Sequence, residues 1–171
     1  MVLTIYTLIH VALSLSGIMT GVVVLLGLLT GKRFDTWTPL FLATTAATSV
    51  TGFFFPFHGL TPAIVTGIIS LIFLSVAAFA RYARRLAHAW RQSYVISAVI
   101  VLYLNVFVLI VQAFQKIAAL KAFAPTQTEP SFKFVQITVL AVFVFLTIVA
   151  AIRFREIPVR TIATIPSKGS S

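Results

Sequence analysis

Few side chains in this 171-residue chain can do chemistry. It has three histidines, three carboxylates and no cysteine. The absence of cysteine excludes disulfides, thiolate metal sites, iron–sulfur clusters and thiol redox catalysis. Axial histidines from two helices can hold a b-type haem, and His10 and His58 are the one pair that fits. Their heights argue against it. His10 lies about 9 Å inside the start of its apolar stretch at 1.5 Å per residue, whereas His58 lies past Pro56 at the end of another. No cofactor is therefore expected, with haem b between His10 and His58 kept as the alternative. His88 sits among arginines and reads as a solvated histidine. The carboxylates Asp35, Glu129 and Glu156 fall in separate connections and cannot work as a general acid–base pair. The serines have no G-x-S-x-G setting. No catalytic residue is expected, and the chain reads as non-enzymatic.

The remaining chemistry is polar but uncharged and lies inside apolar stretches. His10 and Ser14 are four apart and share a helix face. Thr51 and His58 close the second stretch. Asn105 and Gln112 are seven apart, two turns on one face, and Gln136 lies one turn into the last stretch. Polar groups in hydrocarbon need partners, so they mark helix contacts or function. The threonines of the second stretch can bond their own carbonyls four residues back. Gly17 and Gly21 form a GxxxG pair, expected to serve packing within the chain rather than a dimer seam.

These residues are positioned by five apolar stretches: Thr4–Thr30, Leu40–Phe57, Pro62–Ala80, Ser93–Phe114 and Phe134–Ile152. Hydrophobic residues make up 60% of the chain and charged ones 9%, against roughly half and a quarter in soluble domains. About 20 apolar residues cross the hydrocarbon of a bilayer, and no stretch holds an Asp, Glu, Lys or Arg. The fold expected is all-α, a polytopic transmembrane bundle of five spans over residues 1–152. Residues 153–171 form a basic tail, expected to be partly disordered. Tight, uncharged Phe57–Thr61 leaves a re-entrant hairpin of spans 2 and 3 as an alternative to two crossings.

The net charge of +10 is spread through short connections and not gathered on a soluble face, so nucleic acid is not an expected partner. Lys32, Arg33, Arg81, Arg84, Arg85, Arg91, Arg153, Arg155, Arg160 and Lys168 fall on one side. Lys116, Lys121 and Lys133 fall on the other. By the positive-inside rule the N-terminus is outside and the C-terminus cytoplasmic. Arg81, Arg84, Arg85 and Arg91 are the expected contact for anionic lipid, and residues 82–92 are expected to continue span 3 or lie on the membrane surface. A homo-oligomer or larger membrane complex is a further expected partner.

With this orientation His10, Ser14, Thr51, His58, Gln112 and Gln136 lie in the outer half, with Asn105 near the midplane. They define an expected polar pocket opening outward, capped by the loop carrying Glu129. A binding or accessory membrane protein is the leading functional reading. A haem- or quinone-binding redox protein and a small-solute channel are the alternatives.

Tyr103-Leu104-Asn105-Val106-Phe107-Val108-Leu109, Gln112-Ala113-Phe114-Gln115-Lys116, Ala124-Pro125-Thr126-Gln127-Thr128-Glu129-Pro130 and Thr48-Ser49-Val50-Thr51-Gly52-Phe53 resemble segments of uncharacterised small bacterial membrane proteins. The resemblance implies a multi-pass protein of the bacterial inner membrane and carries no activity with it.

Overall fold

The computed structural model describes residues 2–55 and 61–154. The readings placed on His58, Glu156 and the tail beyond 154 lie outside the described residues. Among the described residues the chain is helical, without strands: α1 Val2–Leu29, α2 Trp37–Gly52, α3 Pro62–Ala78, α4 Ala89–Lys116, α5 Ala118–Phe123 and α6 Pro130–Arg153, with a π turn at Phe79–Ala83. Four helices are apolar and long enough to cross a membrane: Leu3–Leu29, Ala63–Ala83, Ala89–Lys116 and Pro130–Arg153. α2, expected to run to Phe57, ends at Gly52 with 16 residues. The chain then turns through Phe53 and Phe54 towards Pro56, whose ring disfavours helix in the residue before it.

Local chemistry sets the helix ends. α1 closes in a Schellman turn: Lys32 N–H bonds the Gly27 carbonyl at 2.8 Å and Gly31 N–H the Leu28 carbonyl at 3.2 Å. Gly31 takes the left-handed φ of +69° that this turn requires. Thr61 caps α3 by accepting from Ile64 N–H, with Pro62 in the first turn where no donor is needed. α3 then widens into the π turn, Arg84 N–H reaching the Phe79 carbonyl at 3.0 Å. Of the two readings for 82–92, a continuation of span 3 as unbroken helix is absent. Arg85, Leu86 and His88 all have positive φ, which breaks the helix before α4 begins at Ala89. The short α5 has no apolar periodicity of its own and was not expected.

Side-chain contacts give the directions. Cβ atoms added at Gly27, Gly21 and Gly17 would meet Phe34, Phe41 and Thr45 in turn. Tyr6 donates to the Thr51 carbonyl. The 34–52 segment therefore runs antiparallel beside α1, with α2 itself covering about 24 Å of axis. Asp35 pairs with Arg81, Tyr94 lies against Phe154, and Gly31 faces the Arg153 carbonyl. One end of the bundle thus gathers the 31–36 connection, the π turn, the start of α4 and the end of α6. It carries Lys32, Arg33, Arg81, Arg84, Arg85, Arg91 and Arg153 and is called the basic face below.

The threonines of α2 bond their own helix. Thr44, Thr48 and Thr51 reach carbonyls four residues back at 2.7, 2.9 and 2.7 Å. The GxxxG pair serves packing inside the chain. A Cβ at Gly21 would lie 2.6 Å from Leu102 Cδ1 and 2.8 Å from Phe41 Cε2. Replacing Gly21 by leucine should lower stability by about 1–3 kcal/mol through overpacking, with alanine nearer the lower limit. Thermal unfolding in mild detergent measures it. An unchanged midpoint for the leucine variant would show that α1 does not approach α2 and α4 this closely.

The core is lopsided. Val24, Leu25, Leu28, Phe41, Leu42, Leu74, Ala77, Tyr94, Val95, Leu102 and Phe154 are buried together, and all belong to the half of the bundle next to the basic face. The opposite half is partly hollow, with Phe114 and Ala124 buried at its far end.

Candidate functional site

The hollow is a cavity of about 520 Å³ between α1, α2, α3 and α4. His10 and Ser14 enter it from α1, Ser49 from α2, Thr66 and Ser70 from α3, and Asn105 and Gln112 from α4. Val11, Leu15, Phe53, Leu104, Val108 and Leu109 supply apolar wall, and Lys116 and Ile117 stand where α4 ends. Mostly apolar lining with a few convergent polar groups is the usual form of a small-molecule site.

Four of the seven residues expected in a pocket, His10, Ser14, Asn105 and Gln112, line this one cavity. Thr51 stands behind it, its Oγ1 2.8 Å from His10 Nδ1. Tyr6 and His10 both pack on Phe55, at 5.0 and 5.1 Å between ring centroids. Gln136 does not reach the cavity. Its amide nitrogen donates to the Phe107 carbonyl at 3.5 Å, because α6 packs on α4 and α1 while the cavity lies between α1, α2, α3 and α4. Among the described lining residues His10 is the only imidazole, and no group of three or more His, Cys, Asp or Glu is placed to hold a metal ion.

Asn105 is the hinge between packing and site. It is buried, its Nδ2 donates to Thr45 Oγ1 at 3.2 Å, and Gly17 gives it room. The residues that sequence reasoning missed are on α3. Thr66, Gly67 and Ser70 lie in an otherwise apolar run, and the one available signal was their small size at three- and four-residue spacing.

The loop carrying Glu129 does not cap the cavity. Gln127, at φ +61°, donates instead to the Val111 carbonyl at 3.0 Å. Partial desolvation pushes the Glu129 carboxyl up. The Thr126 N–H and hydroxyl, at 3.0 and 2.8 Å, outweigh it and hold the pKa below the ordinary 4.5. A depressed carboxylate stabilises its loop above the ordinary value, and that support is lost as pH falls through the lowered one. Protection of the 124–130 amides, corrected for intrinsic exchange, should therefore fall as pH drops through the lowered pKa. Glu129→Gln should already show the lower protection at neutral pH, and identical pH profiles for the two proteins would disprove the link.

On the basic face Arg81 turns inward. It pairs with Asp35, and its side chain is 8% exposed, with the guanidinium 5.5 Å from the Tyr94 ring centre. Arg91 lies over Phe154. Arg84 and Arg85 stay exposed, Arg84 stacking on Trp90 at 5.3 Å.

The class defined is an all-helical protein built on helices apolar and long enough to cross a membrane, with a solvent-sized cavity in one half of the bundle. No protein-family model, curated protein or solved structure matches the chain.

Proposed function

We propose that this is a non-enzymatic binding protein of the bacterial inner membrane, whose cavity takes a small ligand from the side opposite the basic face. The observation that carries the reading is the lopsided interior: a packed core in one half and a polar-lined cavity in the other. Five crossings are proposed, with the N-terminus outside and the C-terminus cytoplasmic. α2 supports the fifth by packing antiparallel against α1, although its 16 residues rise only about 24 Å and need the flanking segments to cover roughly 30 Å of hydrocarbon. The seven described basic residues at one end support the orientation. On that face Arg84 and Arg85, with Lys32 and Arg33, are free to meet anionic headgroups at about 1 kcal/mol each, whereas Arg81 is engaged internally.

The packed half argues against a channel. Phe41, Leu102 and Tyr94, each about 1% exposed, belong to the packed half between the cavity and the basic face. Haem ligation between His10 and His58 gains no support from the described residues, where the cavity offers one imidazole.

The absence of cysteine makes the test clean. His10→Cys and Gln112→Cys should react with a membrane-impermeant thiol reagent on intact spheroplasts. Arg85→Cys should react only after the membrane is opened. Protection of both cavity positions would count against an outward pocket, and labelling of Arg85→Cys in intact cells would reverse the orientation.

A further inference from the structure

The cavity carries hydrogen-bonding groups at two levels, and their roles can be assigned. The upper level is His10. Thr51 has one hydroxyl hydrogen, and it is already committed: Oγ1 lies 2.7 Å from the Ala47 carbonyl and 3.1 Å from that of Thr48. Two oxygens at 2.7 Å repel unless a hydrogen lies between them. In the 2.8 Å contact between Thr51 Oγ1 and His10 Nδ1, Nδ1–H is therefore the donor. A neutral imidazole then presents Nε2 as a bare acceptor, and no described protein group engages it.

The lower level is Ser70 with Ser14. Ser70 is 3% exposed, and its hydroxyl oxygen has no partner and almost no accessible surface, so a ligand reaches it only by shifting the wall around it, while Ser14 lines the cavity directly. Its neighbours on α3 bond their own helix, Thr66 to the Ala63 carbonyl at 2.9 Å and Ser75 to that of Leu71 at 2.8 Å. Ser70 leaves this bond unmade. Ser14 is one turn below His10 on α1. On α3, Gly67 is level with Phe53 and the Ser49 carbonyl, which puts Ser70 one turn below that. The two levels are about 5–6 Å apart along the helix axes, so a ligand with two similarly spaced hydroxyls that bond sideways, as the para oxygens of a hydroquinone can, engages both. Val11, Leu104 and Val108 make the wall around them apolar. No carboxylate lines the cavity, and its one ionised side chain is Lys116 at the end of α4, so a cationic ligand finds no counter-charge.

We propose that the cavity binds a neutral ring with a hydroxyl at each end, a lipid-soluble hydroquinone. One hydroxyl donates to His10 Nε2, and the other bonds Ser70 and Ser14. The assignment rests on the binding reading above and names its ligand. A fatty alcohol or fatty acid satisfies one level and sets alkyl carbon against the other, leaving buried hydroxyls unpaired at a cost.

The test is a titration of the full chain in phosphatidylcholine nanodiscs, followed by ¹⁵N-histidine resonances. The probes are a decyl-substituted para-hydroquinone and, for comparison, 1-decanol. The hydroquinone should bind saturably, move the His10 Nε2 resonance, and bind at least tenfold more tightly than decanol. His10→Phe should weaken it about tenfold, the worth of one hydrogen bond. Ser70→Ala should weaken it about five- to tenfold while raising the unfolding temperature of the free protein, because an unpaired buried hydroxyl is gone. A purely structural serine would not give those opposite signs. Equal affinity for hydroquinone and decanol, or variants that leave affinity unchanged, would overturn the proposal. If Gln112→Cys is labelled from outside and no hydroquinone binds, the ligand is wrong and the pocket stands. If neither occurs, both readings fall.

Discussion

Replacing Arg81 by alanine is expected to cost about 2–3 kcal/mol of stability, while neutralising its ion-pair partner by Asp35→Asn costs about 0.5 kcal/mol or less. The two ends of the pair live in different places. The Asp35 side chain is 79% exposed and that of Arg81 8%. An exposed carboxylate gains little from an ion pair, since water and salt screen it. The guanidinium, in contrast, lies 5.9 Å from the Tyr82 ring centre and 5.5 Å from that of Tyr94. Tyr94 is itself fixed by Thr38 Oγ1 at 3.3 Å and by the Phe154 ring. Losing Arg81 removes desolvated cation–π contacts and packing around the aliphatic stem together, and unseats the residue where α2, α4 and α6 meet. Arg81→Lys should recover only part of the loss, because an ammonium does not stack as a planar guanidinium does. Unfolding in mixed micelles with increasing denaturing detergent reads all three variants. Equal losses for Arg81→Ala and Asp35→Asn would mean that the pair, not the aromatic seat, holds this corner.

Arg81 also shows what the sequence leaves unread. Its charge and its position after an apolar run mark it as an interfacial arginine, and that much is legible. Nothing in the order Phe79-Ala80-Arg81-Tyr82-Ala83 announces the π turn that contains it, or that Tyr94 waits on the next helix. Those depend on pairings between distant segments. The apolar stretches were legible because hydrocarbon demands length and composition, which a single sequence displays. The extent of α2 was less so: its apolar run continues to Phe57, but the approach of Pro56 ends the helix at Gly52. In the site, His10, Ser14, Asn105 and Gln112 were readable as polar residues out of place, and they converge on the cavity. Gln136 carried the same signal and serves packing on α4. Polarity alone does not tell a ligand group from interhelical glue. Ser70 was unreadable for the converse reason, since a serine in an apolar helix ordinarily bonds back to its own carbonyls. Only the unmade bond distinguishes it.

The second large effect tests the lopsided interior itself. Phe41→Ala should destabilise the protein by about 2–3 kcal/mol, and Leu109→Ala by about 0.5 kcal/mol or less. In a bilayer the transfer part of such a cost shrinks, because lipid tails are as apolar as the core. What remains is the void left behind and its lost contacts. Phe41 is 1% exposed and touches the close approach of α1 at Gly21 together with Leu102, so its removal opens a hole that rigid backbone on several sides cannot close. Leu109 is 40% exposed and already borders open space, so its truncation enlarges a cavity instead of creating one. The functional signs should be reversed. Leu109→Ala should alter hydroquinone affinity with stability nearly unchanged, while Phe41→Ala should spare affinity in whatever protein remains folded. The contrast bears on transport as well. A hole at Phe41 removes part of the barrier between cavity and basic face, so a Phe41→Ala protein that stays folded should be more leaky to small solutes in liposomes than the parent. Equal stability losses for the two alanine variants would mean that both halves are packed alike, and the binding reading would lose its foundation.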